Sequence, residues 1–394
     1  MSGRGLVDRA KGRLLNLGAA AVRRGLHPRW VGYRTVQRET VPEHLARGAP
    51  GRYETVHPAA VARNPLPRNV ADRGELPDDR GWWGYSFRDV PERASGETFV
   101  ATLRNVLVTW YRDEDQGGDF FPAFLSADGR GLDLREVRFR PKHGAVLRAA
   151  GPPVRVDRAT WVAERVYDNH SHWLTAHLPK LLLLRERGGL GDVFLPPERT
   201  DTMDASIRML GLDPDAFPTF DPGRPLLVGE LTVVGSDRFR PELLRSVREA
   251  FADAAAEPRR RVWISRARAG RRRLVNEDEV WPLLERRGFE RVFMEDLGFE
   301  EQVRLMHETA VLAAPHGAGL TNMVFCPEGA HVVEVADLGF PNPNFYAVAA
   351  ALGHPYWIVR AESVGEGHPL EKDLRVDPAA LGAALDDAAP PRPL

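Results

Sequence analysis

Cysteine is nearly missing from this chain: Cys326 is the one cysteine in 394 residues. A lone thiol excludes an internal disulfide and any multi-cysteine zinc site, which fits a reducing compartment. Long apolar runs are missing too. Hydrophobic residues make up 43% of the chain, yet no stretch approaches the roughly 20 residues that cross a bilayer, so no membrane span is expected. The N-terminus lacks the continuous apolar segment of a secretory signal, and the expected location is cytoplasmic. Charge of one sign is also lacking. A formal net charge of -1 leaves no global field for nucleic acid, and the arginine-rich segments lack the interleaved aromatics that such a partner requires. Lysine is scarce beside arginine, and the heavy use of Arg, Ala, Pro and Gly reads as the composition of a GC-rich bacterial chain.

What is present points to two cores, as the length allows. Leu6, Val7, Ala10, Leu14, Leu17 and Ala21 recur at near-helical spacing, with Arg9, Lys11, Arg13, Arg23 and Arg24 among them. This predicts a helix over 4–24, either packed on the body of the protein or lying on an anionic surface at the inner face of the plasma membrane. The rest of a basic extension, 1–95, reads as irregular from about residue 40. An N-terminal domain is expected over 96–235, where short β-rich runs from "ETFVATLRNVLVTWY" to "GAVLRAA" alternate with turn signals such as Asp128-Gly129. Then "RATWVAERV" reads as a strand and "SHWLTAHLPKLLLLRER" as a helix kinked at Pro179. A C-terminal domain is expected over 236–385, with a disordered tail over 386–394.

The C-terminal pattern is the clearest. Strands "RVWIS", "RVFME", "AVLAA", "HVVEV" and "YWIV" alternate with helices "NEDEVWPLLERRG", "FEEQVRLMHE", "LTNMVFC" and "NFYAVAAALG". Repeated β-α units of this length predict a parallel doubly wound sheet, with ligands outside the carboxyl ends of its strands. The unusual residues fall on that edge: the arginine loop containing Arg266 and Arg272, then Pro315-His316-Gly317-Ala318-Gly319, then Glu334. Guanidinium groups and backbone N–H groups suit a diphosphate, a carboxylate suits ribose hydroxyls, and glycines allow positive φ and close approach of the backbone. Glu277-Asp278-Glu279 resembles a metal-binding triplet, but it opens a helix, where acidic residues face the positive dipole end. No metal is expected. "GAGLTN" resembles a nicotinamide-binding fingerprint only weakly, because Asn322 stands where the fingerprint has its third glycine.

"WISRARAGRRRLVNEDEV", "FEEQVRLMHETAVLAAPHGAGLTNMVFCPEGAHVVEV" and "NHSHWLTAHLPKLLLL" closely resemble glycosyltransferase family 61. That family includes plant arabinosyl- and xylosyltransferases of xylan, animal O-GlcNAc transferases of the secretory pathway, and bacterial members. The resemblance runs from about Phe99 to Val359. It implies an α/β fold of GT-B type, with two facing Rossmann-like domains built on parallel sheets. It also implies a nucleoside-diphosphate sugar donor, most readily a UDP-sugar, and inversion without a required cofactor or metal. Carried over by position, Arg266 and Arg272 correspond to donor-phosphate ligands, and His316, Gly317, Ala318, Gly319, Leu320 and Asn322 to the donor loop. The expected acceptor is a hydroxyl of a glycan, glycolipid or bacterial cell-surface polymer precursor. One departure stands out: Ala176 occupies the position where the family commonly has an acidic candidate base. Alanine takes no proton, so His172, His177, Asp168 and His170 become the candidates beside His316. Ala176 also supports an alternative, a catalytically silent relative that binds a nucleotide sugar or a glycan.

Overall fold

The computed structural model describes residues 15–389. Of the expected N-terminal helix, residues 15–23 are helical, while Leu6, Val7, Ala10 and Leu14 lie outside the described residues. At the other end a helix runs Pro378–Ala388 and Ala389 is buried, and 390–394 lie outside the described residues.

The first half contains β1 (Arg38–Thr40), β2 (Gly51–His57), a paired ribbon of β3 (Ala60–Arg63) and β4 (Glu92–Ser95), and β5 (Thr98–Asp113). It continues with β6 (Asp119–Leu125), β7 (Gly131–Asp133), β8 (Val154–Trp161), β9 (Val193–Phe194) and β10 (Leu226–Gly235). Apart from the ribbon, these form one sheet in the order β1-β7-β6-β5-β10-β8-β9, with β2 also paired to β5. This corrects the expectation of a parallel Rossmann-like sheet here. The central strand β5 is antiparallel to β2, β6 and β10, and only the flanking pairs β1-β7, β8-β10 and β8-β9 are parallel. The β5-β6 link explains why: five residues closing on left-handed Gly117 and Gly118 permit a hairpin, whereas a parallel return needs a long crossover.

Two further expectations change. Residues from 38 to 57 are not irregular, since they supply β1, a short helix Val41–Ala46 and β2 to this sheet. "GAVLRAA" is helical, within Pro141–Ala149; Pro141 starts that helix, and Gly144 lies so close to the Tyr33 carbonyl that a Cβ would sit 2.6 Å from it.

The second half matches its expectation. Strands β11 (Arg260–Ile264), β12 (Phe289–Val292), β13 (Thr309–Pro315), β14 (His331–Asp337), β15 (Tyr356–Val364) and β16 (Asp373–Val376) form a sheet in the order β12-β11-β13-β14-β15-β16. It is parallel except for β16. Helices Glu277–Glu285, Phe299–His307 and Asn344–Leu352 are the crossovers, and "LTNMVFC" falls in a 3-10 helix, Ala318–Phe325. The protein is therefore a mixed α/β fold with one parallel and one largely antiparallel sheet.

A continuous core joins the two sheets, running from Leu103 and Val228 through Leu178 and Leu181 to Leu244, Phe325 and Val348. The helix over 170–186 lies in this core. It begins at His170–His172, opens into a π turn at Trp173–His177 and resumes as Leu178–Glu186. Leu178 N–H reaches back to the Trp173 carbonyl, one residue farther than an α-helix allows. The cause is Pro179, which has no N–H to donate and whose ring would crowd the carbonyl four residues earlier. Among the described residues no helix is long and apolar enough to cross a membrane.

Candidate functional site

The arginine loop and the histidine turn meet at the carboxyl ends of β11, β13 and β14. Gly317 follows His316 at the end of β13, and the Arg266 guanidinium lies on it so closely that a Cβ at Gly317 would fall 2.1 Å from Nη1. Gly317 has an extended φ of 177, so close approach, and not positive φ, is what requires glycine there. Gly319 is likewise a packing glycine: an added Cβ would sit 3.3 Å from Ile264.

Of the loop arginines, Arg268 is neutralised by Asp296 and Arg273 by Asp373. Arg266 and Arg272 form no ion pair among the described residues. Arg266 instead donates to the carbonyls of Arg272 (3.0 Å) and Arg271 (2.8 Å), which fixes its direction without cancelling its charge. Arg272 has a left-handed φ of 56, unusual for a residue with a side chain, and its Nε finds no partner. Burial, followed by the charges of Arg266 and Arg271, pushes the Arg272 guanidinium down to about 10. It is still a cation at neutral pH. Two half-buried guanidiniums without ion-pair partners have the chemistry to hold an anion.

His316 lines the same hollow as Arg272, with Phe340, Asn342 and Leu370. Its Nδ1–H donates to Glu334, whose other oxygen accepts from the Tyr356 hydroxyl at 2.5 Å. Glu334 is fully buried. This corrects its expected role at ribose: both oxygens are occupied inside the protein, and the carboxylate fixes the tautomer and orientation of His316, leaving Nε2 for a ligand. Leu320 and Asn322 also leave the donor loop. Leu320 is fully buried in the core. Asn322 accepts from His170 Nε2 at 2.7 Å and donates to Gln302 Oε1 at 2.9 Å, tying the helix over 170–186 to the second sheet's crossover helix. Ala318 begins the 3-10 helix beside the hollow. Glu277, Asp278 and Glu279 diverge, to Ser265, Arg291 and Arg375 respectively. Among the described residues no cluster of three or more His, Cys, Asp or Glu is arranged to hold a metal ion.

Phe340 is also the wall through which this hollow meets a larger cleft. Trp82 and Trp83 contact its ring at 4.8 and 6.0 Å between centroids. Both tryptophans line a cleft of about 450 Å³ together with Arg135, Glu136, His172 and Arg238. Val166 lines it as well and holds a φ of 58. A β-branched residue in that region is strained, and strain of this kind concentrates at functional sites.

The five candidates for proton transfer are separated by the fold, and both nitrogens of His170 are engaged, by Thr202 and Asn322. His316 is at the hollow beside Arg272. His172 lines the cleft, but its Nε2 accepts from Arg238 at 3.2 Å, and burial followed by the Arg238 charge keeps the imidazole neutral. His177 is fully buried with both nitrogens engaged: Nδ1–H donates to the His172 carbonyl, which the π turn frees, and Nε2 accepts from Glu164 N–H. Burial lowers it to about 3. It braces the turn and has no free nitrogen for an acceptor hydroxyl. Asp168 is exposed and pairs with Arg112 at 3.4 Å, outside the cleft lining. Ala176 is buried within the π turn.

Sequence reasoning missed Glu136. It is half-buried, lines the cleft and forms no ion pair among the described residues, whereas the neighbouring Glu164 is buried and paired with both Arg135 and Lys180. Burial alone would raise the Glu164 carboxyl, but those two cations outweigh it and hold it at about 2. Arg238, Trp82 and Trp83 were missed as well. Each is a single residue outside any periodic pattern.

The glycosyltransferase 61 family model matches residues 170–333. The chain is also similar to two rice proteins from Oryza sativa subsp. japonica. It is 34% identical to the β-1,2-xylosyltransferase XAX1 over 164 residues, which is 39% of this chain and 29% of the rice protein. It is 40% identical to the β-1,2-xylosyltransferase XYXT1 over 73 residues, 18% of this chain and 16% of that protein. The chain thus spans less than a third of the length of either relative. Both are plant xylosyltransferases, which overturns the reading of this chain as a bacterial cell-surface polysaccharide enzyme. The family match begins at His170, at the start of the π-turned helix, takes in the arginine loop and the His316 turn, and stops one residue before Glu334. The segment over residues 170–333 is thus similar to glycosyltransferase family 61.

Proposed function

We propose that this protein is an inverting glycosyltransferase that moves a sugar from a nucleoside diphosphate, UDP foremost, to a hydroxyl of a glycan. The observation that carries the reading is the convergence of Arg266, Arg272 and His316 at one edge of the parallel sheet, with two cations left uncompensated. At that edge the guanidiniums would hold the diphosphate from outside the small hollow, and His316, oriented by Glu334, would donate from Nε2 when protonated as charge builds on the leaving oxygen. The diphosphate charge would then be carried by side chains, in the place a divalent cation takes in other transferases.

Bond formation at the anomeric carbon also needs a group to take the acceptor proton. Glu136 is the group with the right chemistry in the adjoining cleft. Its carboxylate has no ion-pair partner among the described residues, is partly accessible, and sits in the loop that follows β7 of the first sheet. Inversion follows if the acceptor enters from that side, with the leaving diphosphate held on the other.

The test is direct. The purified chain is heated with UDP, GDP, CDP and dTDP and with their common sugar conjugates, and transfer to xylo-oligosaccharides is followed by mass spectrometry. A rise in melting temperature with one nucleotide series, abolished by Arg272→Gln, is the expected outcome. The absence of any shift would remove the donor-site assignment. Ala176 favours a second reading, a silent sugar-nucleotide binder, and nucleotide binding with neither transfer nor donor hydrolysis would select it.

A further inference from the structure

Arg238 is a buried cation with no ion pair among the described residues; Glu164 and Glu136 act on it only through space. It is 8% exposed and lines the cleft. Each of its donor groups meets a neutral acceptor: Nε donates to Thr175 Oγ1 at 2.6 Å, Nη2 to Ser171 Oγ at 2.8 Å and Nη1 to His172 Nε2 at 3.2 Å. No carboxylate among the described residues pairs with it. The other arginines of this cleft differ: Arg93 is met by Asp237, Arg135 by Glu164 and Arg165 by Asp119. Burial, then the charge of Arg135, lowers Arg238 to about 9, which leaves it charged at neutral pH. A guanidinium withdrawn from water without an ion-pair partner is unfavourable, and a ligand anion would supply the charge its neutral acceptors do not.

A second atom at the same place lacks the same thing. Because His172 Nε2 accepts from Arg238, its proton sits on Nδ1, and Nδ1 is buried with no acceptor. A cation without an anion and an N–H without an acceptor therefore adjoin in one cleft. Beside them Trp82 and Trp83 offer flat apolar faces of the kind on which pyranose rings stack.

We propose that this wall is an anion subsite for the acceptor, and that the acceptor is an acidic glycan whose uronic-acid carboxylate is received by Arg238 and His172. The proposal rests on the glycosyltransferase reading for the word acceptor, but binding itself can be measured without transfer. An anion at Arg238 has a second possible source, the donor's diphosphate, and the experiment separates the two.

Methyl β-D-glucuronide, its uncharged amide and methyl β-D-glucoside are titrated into the full chain by calorimetry or saturation-transfer NMR, and UDP is titrated separately. The expected result is that the glucuronide binds at least about tenfold more tightly than the amide or the glucoside, as one charge-assisted pair provides. Arg238→Gln brings the glucuronide down to the level of the amide and leaves UDP affinity unchanged. Equal binding of glucuronide and amide by the unaltered chain overturns the proposal, and this comparison needs no variant that might fail to fold. Weakened UDP binding in Arg238→Gln, with the glucuronide unaffected, overturns it too and assigns the cation to the donor. If UDP does not bind but the glucuronide is distinguished from its amide, the subsite stands and the transferase reading falls.

Discussion

The two sheets face the ligand region with different electrostatic habits. On the first-sheet side most charges are cancelled within the protein: Arg135 and Lys180 enclose Glu164, and Arg165 is held by Asp119. On the second-sheet side Arg266 is aimed by backbone carbonyls, and Arg272 has no ion-pair partner among the described residues. Backbone carbonyls orient a guanidinium without neutralising it, so the second sheet keeps its charge for a ligand. The first sheet spends its charge on structure, with Glu136 and Arg238 as the exceptions. Reactivity is expected where pairing is incomplete, and the following substitutions challenge that contrast.

The largest effect is expected at Glu136. Glu136→Gln removes a proton acceptor while preserving shape, and should lower kcat by roughly 10²- to 10⁴-fold with little change in UDP affinity. Steady-state kinetics beside UDP titration checks this, and near-normal turnover would end the assignment. Next is Arg272→Gln, which should weaken UDP by about 10- to 100-fold, the worth of a hydrogen-bonded charge in a half-buried site. Arg268→Gln, which removes an arginine already paired to Asp296, should leave UDP binding within about twofold. Equal losses in the two variants would erase the distinction between paired and unpaired cations.

A third effect concerns stability. In the unfolded chain an imidazole titrates near 6.5, and burial lowers His177 to about 3 in the fold. Between those values the unfolded chain binds the proton and the native one does not. Stability is therefore lost as pH falls from 6.5 toward 3, by at most about 1.4 kcal/mol per pH unit for one such group. Glu164, held near 2, acts in the same direction below about 4.5. Denaturant melts at pH 7 and pH 5 should show His177→Gln less stable overall but with a shallower pH slope. The smallest effect is at Val166. Replacing it by glycine relieves a left-handed β-branched residue and should stabilise the protein by about 0.5–1 kcal/mol, net of backbone entropy. If Val166 shapes the cleft, activity falls while the melting temperature rises.

The same contrast explains what could be read from the chain itself. The parallel sheet was legible because each β-α unit carries its own signal within about 30 residues, and its strand ends place Arg266 and His316 together with no further information. The first sheet was not. Its pairings join residues far apart, such as Leu226 with Val108, and local periodicity does not encode partners. "GAVLRAA" was misread because a short apolar run does not distinguish strand from helix, and Pro141 before it was the overlooked start signal. Glu334 was assigned to ribose because its place at a strand end was visible and its burial was not. Glu136 and Arg238 carry no sequence signal at all. Their importance lies in partners they lack, which only folding reveals.

The widened turn ahead of Pro179 has a consequence for repair. An extra residue fitted into a helical circuit rotates everything on one side of it by about 100° relative to the other. Grafting an acid onto position 176 would therefore not place it where a regular helix would. It would drive a carboxyl group into the hydrophobic interior, where Ala176 is 2% exposed. Removing the proline and the surplus residue together is the edit that would bring the two registers back into phase.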